Sequence, residues 1–169
     1  MFDQIVVSTD DPHIAVVAAK CGVRCIYRPD NLCLNTTPML PVIAHAEKEV
    51  PGDIITLLQP TSPFRTVDDI ELSRKLMIET GGDAVLSVSA PPPDEVFERG
   101  HATRLRPAKN IVVANGAIYI ITKDHLRAGG DWYSGITYAY EMPISRSLDI
   151  DTELDLTIAR AMVGHVTTV

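Results

Sequence analysis

Asp149 and Asp151 stand one residue apart, just ahead of an amphipathic segment that starts at Thr152. In extended backbone that spacing sends both side chains off the same face, and two carboxylates so placed can hold one Mg2+ beside a triphosphate. Acidic residues are also what the positive end of a helix dipole attracts, so the spacing by itself leaves both readings open. Gln59 lies within Leu57-Leu58-Gln59-Pro60-Thr61-Ser62-Pro63-Phe64-Arg65, an apolar run followed by two prolines that stiffen the backbone into a rim. An amide there can donate to and accept from a sugar hydroxyl or a base edge, or it can serve its own turn. Asn115-Gly116 sets an amide beside a residue that permits close backbone approach to a ligand, or marks a bulge. Arg65 is a candidate for an anionic group or for pinning its loop, and Arg28 opens the loop after the second predicted strand.

The elements that must position these residues alternate along the chain. Gln4 to Ser8 reads as a buried strand, and Asp11-Pro12 gives an N-cap with proline at the first helical position. A helix is expected from Pro12 to Lys20 that packs Ile14, Val17 and Ala18. Arg24 to Tyr27 is a second strand. Thr37-Pro38 repeats the cap-and-proline signal for a helix to about Glu49, and Ile54 to Leu58 is a third strand. Thr66 and Asp69 form a capping box for a helix to about Thr80, ended by Gly81-Gly82 and followed by the strand Ala84 to Ser89. Pro91 to Asn110, rich in proline and charge, reads as an excursion with one short hairpin. Then come a strand from Ala117 to Thr122, a short helix near Lys123 to Ala128 and an edge strand near Thr137 to Glu141. A second capping box, Thr152 with Asp155, opens a last helix with Leu154, Ile158, Ala161 and Met162 inward.

Such alternation, with strands apolar throughout, implies an α/β fold: a three-layer α/β/α arrangement on a mostly parallel Rossmann-like sheet. Ligands of such sheets sit beyond the carboxyl ends of the strands, which is where the loops after Ser8, Tyr27, Leu58 and Ser89 fall. A length of 169 residues with 46% hydrophobic content suits one domain. The net charge of −7, without a run of Lys or Arg, argues against a nucleic acid polymer as partner. Met1 to Val7 has neither a basic n-region nor a long apolar stretch, so no membrane role and a cytoplasmic location are expected. Cys21, Cys25 and Cys33 lack paired metal-site spacing and are expected as reduced thiols, and the five histidines show no ligand pattern.

Taken in order, the segment around Gln59, Asn115-Gly116-Ala117-Ile118-Tyr119-Ile120 and Ser147-Leu148-Asp149-Ile150-Asp151-Thr152-Glu153-Leu154-Asp155-Leu156 resemble the acylneuraminate cytidylyltransferases, or CMP-sialic acid synthetases. The resemblance runs from Phe2 to the final helix and implies a nucleotide-diphospho-sugar transferase type of fold. It implies that Asp149 and Asp151 bind Mg2+ and are catalytic, that Gln59 contacts the nine-carbon sugar acid or the nucleotide, that Asn115 faces the sugar substrate, and that Arg28 helps hold the cytidine of CTP. Tyr27-Arg28-Pro29-Asp30-Asn31-Leu32 agrees with the family pattern, as does Ser8-Thr9-Asp10-Asp11. The basic segment before the NGAIY motif is replaced here by Arg104-Leu105-Arg106-Pro107-Ala108-Lys109, which leaves Arg104 or Arg106 as candidates for the substrate carboxylate. Related synthetases for the eight-carbon acid Kdo carry an aspartate where this chain has Thr61 and Ser62, a contrast that favours a nine-carbon acid.

Against that family, Met1-Phe2-Asp3 aligns with the phrase before the second strand. The opening strand and the basic, glycine-containing loop that grips the triphosphate have no counterpart, so the expected sheet has its first strand missing. That strand is central in a doubly wound sheet, and its neighbours are expected to close up, recruit a partner chain or be protected by oligomerisation. Family members are dimers, and Asp131 to Pro143, with Trp132, Tyr133, Tyr138 and Tyr140, resembles their projecting dimerisation region, which we place around 123–143. Two functions follow. One is transfer of CMP from CTP to a sialic-type acid with release of pyrophosphate; the other is a truncated, non-catalytic relative that serves as a dimeric scaffold or weak sugar or nucleotide binder.

Overall fold

The computed structural model describes residues 2–91, 97–99, 105–107 and 111–166. The strands are β1 (Val6–Thr9), β2 (Arg24–Tyr27), β3 (Ile54–Leu57), β4 (Ala84–Ser89), β5 (Phe97–Arg99), β6 (Leu105–Pro107), β7 (Val113–Thr122) and β8 (Thr137–Glu141). The helices are α1 (Pro12–Lys20), α2 (Met39–Ala46), α3 (Val67–Thr80), α4 (Lys123–Arg127) and α5 (Glu153–Val166). These elements gather into two compact units, one of Met1–Ile55 with Thr122–Asp131 and one of Thr56–Ile121 with Trp132–Val169.

In the first unit, β1 and β2 pair in parallel from Val6 opposite Arg24 to Thr9 opposite Tyr27. The Asp11 carboxylate accepts from the His13 and Ile14 N–H groups with Pro12 in the first turn, so α1 starts where the sequence predicts. Its buried face differs from the expected one: Ala15 and Ala18 are buried, whereas Ile14 and Val17 are 50% and 60% exposed. Ile14 to Ala19 is apolar throughout, so periodicity singles out no face, and the small alanines are the side that is packed. Helix α2 begins later than expected, with Pro38 in extended conformation as its N-cap and no side-chain cap, and it passes into a 3-10 turn at Glu47–Glu49. Buried Glu47 and Lys123 join that turn to α4. Arg127 donates to both Glu47 carboxylate oxygens at 2.9 and 3.3 Å, and Lys123 Nζ donates to the Glu47 carbonyl at 3.1 Å.

The second unit is built on a four-stranded sheet in the order β3-β7-β4-β8. Strand β8 runs parallel to β4 along the edge, from Ala84 opposite Thr137 to Val88 opposite Glu141, as predicted. Strand β7 runs antiparallel to β4, so the sheet is mixed where a largely parallel one was expected. The excursion ahead of β7 carries the antiparallel pair β5 and β6, and an antiparallel neighbour such as β7 needs no crossover helix to return the chain. Met77, Val85, Ala117, Ile118, Ile120 and Met142 form one buried cluster under this sheet. Helix α3 has the predicted capping box at Thr66 and Asp69 and ends at Gly81 in left-handed conformation, φ 61°. Helix α5 is capped by Thr152 and Asp155 as predicted. It turns Ala159 inward with Leu156 and Met162 half-buried, whereas Leu154 is 68% and Ile158 41% exposed. Apolar residues occupy both stripes of α5, and the sequence pattern does not rank them.

Candidate active site

The antiparallel ladder of β4 and β7 is interrupted. Leu86 faces Tyr119 and Val88 faces Ala114, so Ser87 alone stands against 115–118. Backbone donors left over by such a mismatch must find other partners when buried. Two side chains supply them. Ser87 Oγ accepts from the Ile118 N–H at 2.7 Å and donates to Asn115 Oδ1 at 2.6 Å, and Asn115 Oδ1 also accepts from the Ala117 N–H at 3.2 Å. The Asn115 amide then donates to Ser147 Oγ at 3.0 Å, and Ser147 Oγ donates to the Pro143 carbonyl at 2.9 Å. Asn115 is thus a cross-link that is 7% exposed and keeps one amide hydrogen outside these bonds.

Beside it Gly116 takes φ 77°, a left-handed conformation that suits glycine. A Cβ on Gly116 would lie 2.4 Å from Asp149 Oδ2 and 3.1 Å from Ser62 Oγ. The bulge expected of this glycine is present, and the group packed closely on it is a carboxylate of the chain itself. Ser62, fully buried, donates to Asp149 Oδ1 at 3.1 Å. The next N–H, that of Ile150, donates to the Thr61 carbonyl at 2.9 Å, which seats the 149–151 segment on the proline-rich rim. Asp151 is exposed at the start of α5.

The rim is itself tied down. The Ser62 N–H donates to the Gln59 carbonyl at 3.3 Å, Phe64 is buried, and the Arg65 guanidinium donates to the carbonyls of Gln59, at 2.8 Å, and Ser62. Arg65 is accordingly engaged in pinning its loop, and burial lowers the pKa of its guanidinium. Gln59 holds the loop through its main chain and is half-buried.

A second cluster backs the segment that leads into Asp149. Asp69, fully buried, accepts from the Thr66 N–H and hydroxyl at 2.8 Å each, from Tyr140 Oη at 3.2 Å, and from Arg146 Nε and Nη2 at 2.9 and 2.8 Å. Burial by itself would raise the pKa of this carboxyl, but the Arg146 and Thr66 donors outweigh it and hold the value at about 2.

In the other unit, Arg28 donates to Asp10 Oδ1 at 2.6 Å and thereby holds the Asp10 carboxyl below the ordinary range. Arg28 Nε is buried with no hydrogen-bond partner among the described residues. The Cys33 thiol donates to the Pro29 carbonyl at 3.2 Å and closes the loop that follows Arg28. All three cysteines are free. Arg104 lies outside the described residues, as does the side chain of Arg106.

Of the residues singled out from sequence, Asn115, Asp149, Gln59 and Arg65 are linked in the second unit through Ser62, Ser147 and the rim. Sequence reasoning assigned no role to Ser87 or Arg146, met Ser62 and Ser147 only within the motifs that carry the resemblance, and placed Tyr140 in the segment that resembles the dimerisation region. Only the capping box at Asp69 carried a signal that could have drawn attention to that cluster.

Mg2+ is the cation that the family resemblance implies, and the donor set suits it. Asp149 is half-buried with Oδ2 packed against Gly116, where a Cβ would lie 2.4 Å from it, and Asp151 is exposed two residues on. Among the described residues no group of three or more His, Cys, Asp or Glu could hold a metal ion. A pair of carboxylates that needs phosphate oxygens and water to complete an octahedron is how Mg2+ is commonly bound.

Comparison with solved structures defines the class. A CMP:2-keto-3-deoxy-manno-octonic acid synthetase complexed with CTP matches 95% of this chain and 80% of its own, with a TM-score of 0.68 at 17% identity. A 4-diphosphocytidyl-2C-methyl-D-erythritol synthase from Anaerococcus prevotii matches 97% and 83%, with a TM-score of 0.69 at 11% identity. The fold is the Rossmann-like α/β architecture that these two structures share.

Sequence similarity is narrower. The chain is 27% identical, over 94% of its length, to an N-acylneuraminate cytidylyltransferase from Escherichia coli. It is 27% identical, over 95%, to a CMP-N,N'-diacetyllegionaminic acid synthase from Legionella pneumophila, and 28%, over 96%, to N-acylneuraminate cytidylyltransferase A of Danio rerio. It spans 42% of the length of the Escherichia coli relative and 78% of the Legionella one. No family model matches the chain. The resemblance carried by the three motifs thus extends to nearly every part of the chain: it is similar throughout to the acylneuraminate cytidylyltransferases.

Proposed function

We propose that this chain takes part in the transfer of CMP from CTP to a nine-carbon sugar acid of the sialic type. The sugar's anomeric oxygen attacks the α-phosphorus, the bond from that phosphorus to the bridging oxygen breaks, pyrophosphate departs and the anomeric proton is lost. The observation that carries this reading is the Asp149 carboxylate, oriented by Ser62 and packed against Gly116, in a chain similar along its length to cytidylyltransferases.

Asp149 and Asp151 would supply the protein's oxygens to Mg2+. When bound, that ion supplies positive charge against the phosphate oxygens and favours a deprotonated nucleophile. Gln59, on a rim that Arg65 holds rigid, orients sugar hydroxyls, and much of the rate gain in such transfers comes from orientation. Asn115 contributes its remaining amide hydrogen. Arg28, with a buried Nε awaiting an acceptor, holds the cytidine part, and the resemblance assigns the sugar carboxylate to Arg104 or Arg106. A homodimer goes with this reading, since Tyr133, Ile136 and Tyr138 are exposed within the segment that resembles the dimerisation region. So does a cytoplasmic location. Among the described residues no helix is long and apolar enough to cross a membrane.

Calorimetric titration with CTP, with and without Mg2+, is the direct test. Metal-dependent binding that Asp151→Ala abolishes supports the proposal, and pyrophosphate release with a panel of nine-carbon acids then identifies the acceptor. No binding at millimolar CTP would overturn catalysis by this chain and leave a dimeric scaffold, which light scattering would detect.

A further inference from the structure

We propose that Asp69 is a positioning residue for the Asp149 and Asp151 pair, acting through Arg146. The inference rests on the metal-binding role given to those aspartates above. Two capping boxes in the same chain make the case. In the second box Asp155 serves its own helix, its Oδ2 accepting from the N–H groups of Asp151 and Thr152 and from the Thr152 hydroxyl. In the first, Asp69 does the same for α3 and then takes three further bonds, two from the Arg146 fork and one from Tyr140. Capping α3 requires neither of them.

What the extra bonds fix is the entry to the site. Arg146 closes the 3-10 turn Ile144–Arg146, and Ser147, next in sequence, is held by Asn115. Two residues later Asp149 is held by Ser62, and Ile150 by the Thr61 carbonyl. Four of the five residues from Arg146 to Ile150 are therefore anchored, and the first anchor is the bidentate, charged one. A buried carboxylate held by arginine is weak evidence of a stabilising role, whereas outer groups that orient metal ligands commonly set metal affinity.

The experiment uses Mn2+ as the probe, measured by water-proton relaxation in the presence of CTP, together with amide hydrogen exchange at Ile150. Asp69→Asn keeps the shape and loses the charge. It should weaken Mn2+ binding by about tenfold or more and speed exchange at Ile150 while the Ile120 amide stays protected. Arg146→Lys keeps the charge and loses the fork; it should fall between wild type and Asp69→Asn, and it carries the test if Asp69→Asn does not fold. Glu47→Gln breaks the comparable buried pair in the first unit and should lower thermal stability without changing Mn2+ affinity. Folded Asp69→Asn with wild-type Mn2+ affinity and unchanged Ile150 exchange would overturn the inference and leave the proposed function standing. Wild-type chain that binds no Mn2+ with CTP would overturn the proposed function, and this inference with it.

Discussion

Each of the two units buries one carboxylate against arginine, and the two do different things. Glu47 in the first unit is met by Arg127 and Lys123 and ties the end of α2 to α4, two ordinary helices. Asp69 in the second is met by Arg146 and Tyr140 and ties α3 to the 3-10 turn Ile144–Arg146 that leads into Asp149. The first arrangement joins the ends of two helices. The second fixes the entry to residues 147–151, which have no regular structure of their own. The cores differ in the same sense: the second unit has a continuous buried cluster around Val85 and Ile118, while the first buries the alanines of α1 and leaves Ile14, Val16 and Val17 half or more exposed. The continuous buried cluster lies in the unit that carries the aspartates.

The largest effect that would break this contrast comes from equal truncations in the two units. Ile118→Ala, at a residue with no exposure, should cost about 2–5 kcal/mol. Ile14→Ala should cost less than about 1 kcal/mol; chemical denaturation of both variants checks the pair, and equal losses would erase the distinction. Gly116→Ala comes next. The left-handed φ costs about 1–3 kcal/mol, and the new Cβ would displace the Asp149 carboxylate, so metal-dependent CTP binding measured by calorimetry should be lost even where the variant folds.

The acid limb of stability sharpens the comparison further. The folded pKa of Asp69, about 2, lies below the ordinary 3.8. Its contribution is therefore complete above the unfolded value and is lost as pH falls from about 4 toward 2. We expect about 1–2 kcal/mol from this group, allowing for the partly exposed Arg146. Urea denaturation from pH 5 to pH 2 should show that slope in wild type and a shallower one in Asp69→Asn. A small effect is also expected from loss of a cap in the first unit, where Asp11→Ala should cost about 1 kcal/mol by the same measurement.

Local signals were legible in the sequence because local chemistry writes them. The caps at Asp11, Thr66 and Thr152, the glycine after α3, and strands β2, β4 and β8 all stand where propensity and capping place them. The faces of α1 and α5 were not legible, since both helices carry apolar residues on more than one stripe and tertiary packing chooses between them. At the site, the segments around Gln59, Asn115 and Asp149 were recognisable. Their mutual wiring was not, because Ser62 reaches Asp149, Ser87 reaches Asn115 and Asp69 reaches Arg146 across long stretches of chain. Asn115 shows the difference most clearly: an amide expected to face a ligand spends most of its bonding capacity inside the sheet.

The mismatch between β4 and β7 also bears on how the chain folds. Hairpin-like strands ordinarily zip from one end, each pair bringing the next into reach. Here Ala84 to Leu86 pair with Tyr119 to Ile121, and Val88 and Ser89 with Ala114 and Val113, with no continuous ladder between them. Whichever short ladder forms first closes a long loop before it gains a hydrogen bond, and the second then closes only the gap of Ser87 and 115–118. The polar bridge of Ser87 and Asn115 is then the last part of the strand pair expected to order, so the region beside Asp149 should be among the late arrivals in folding.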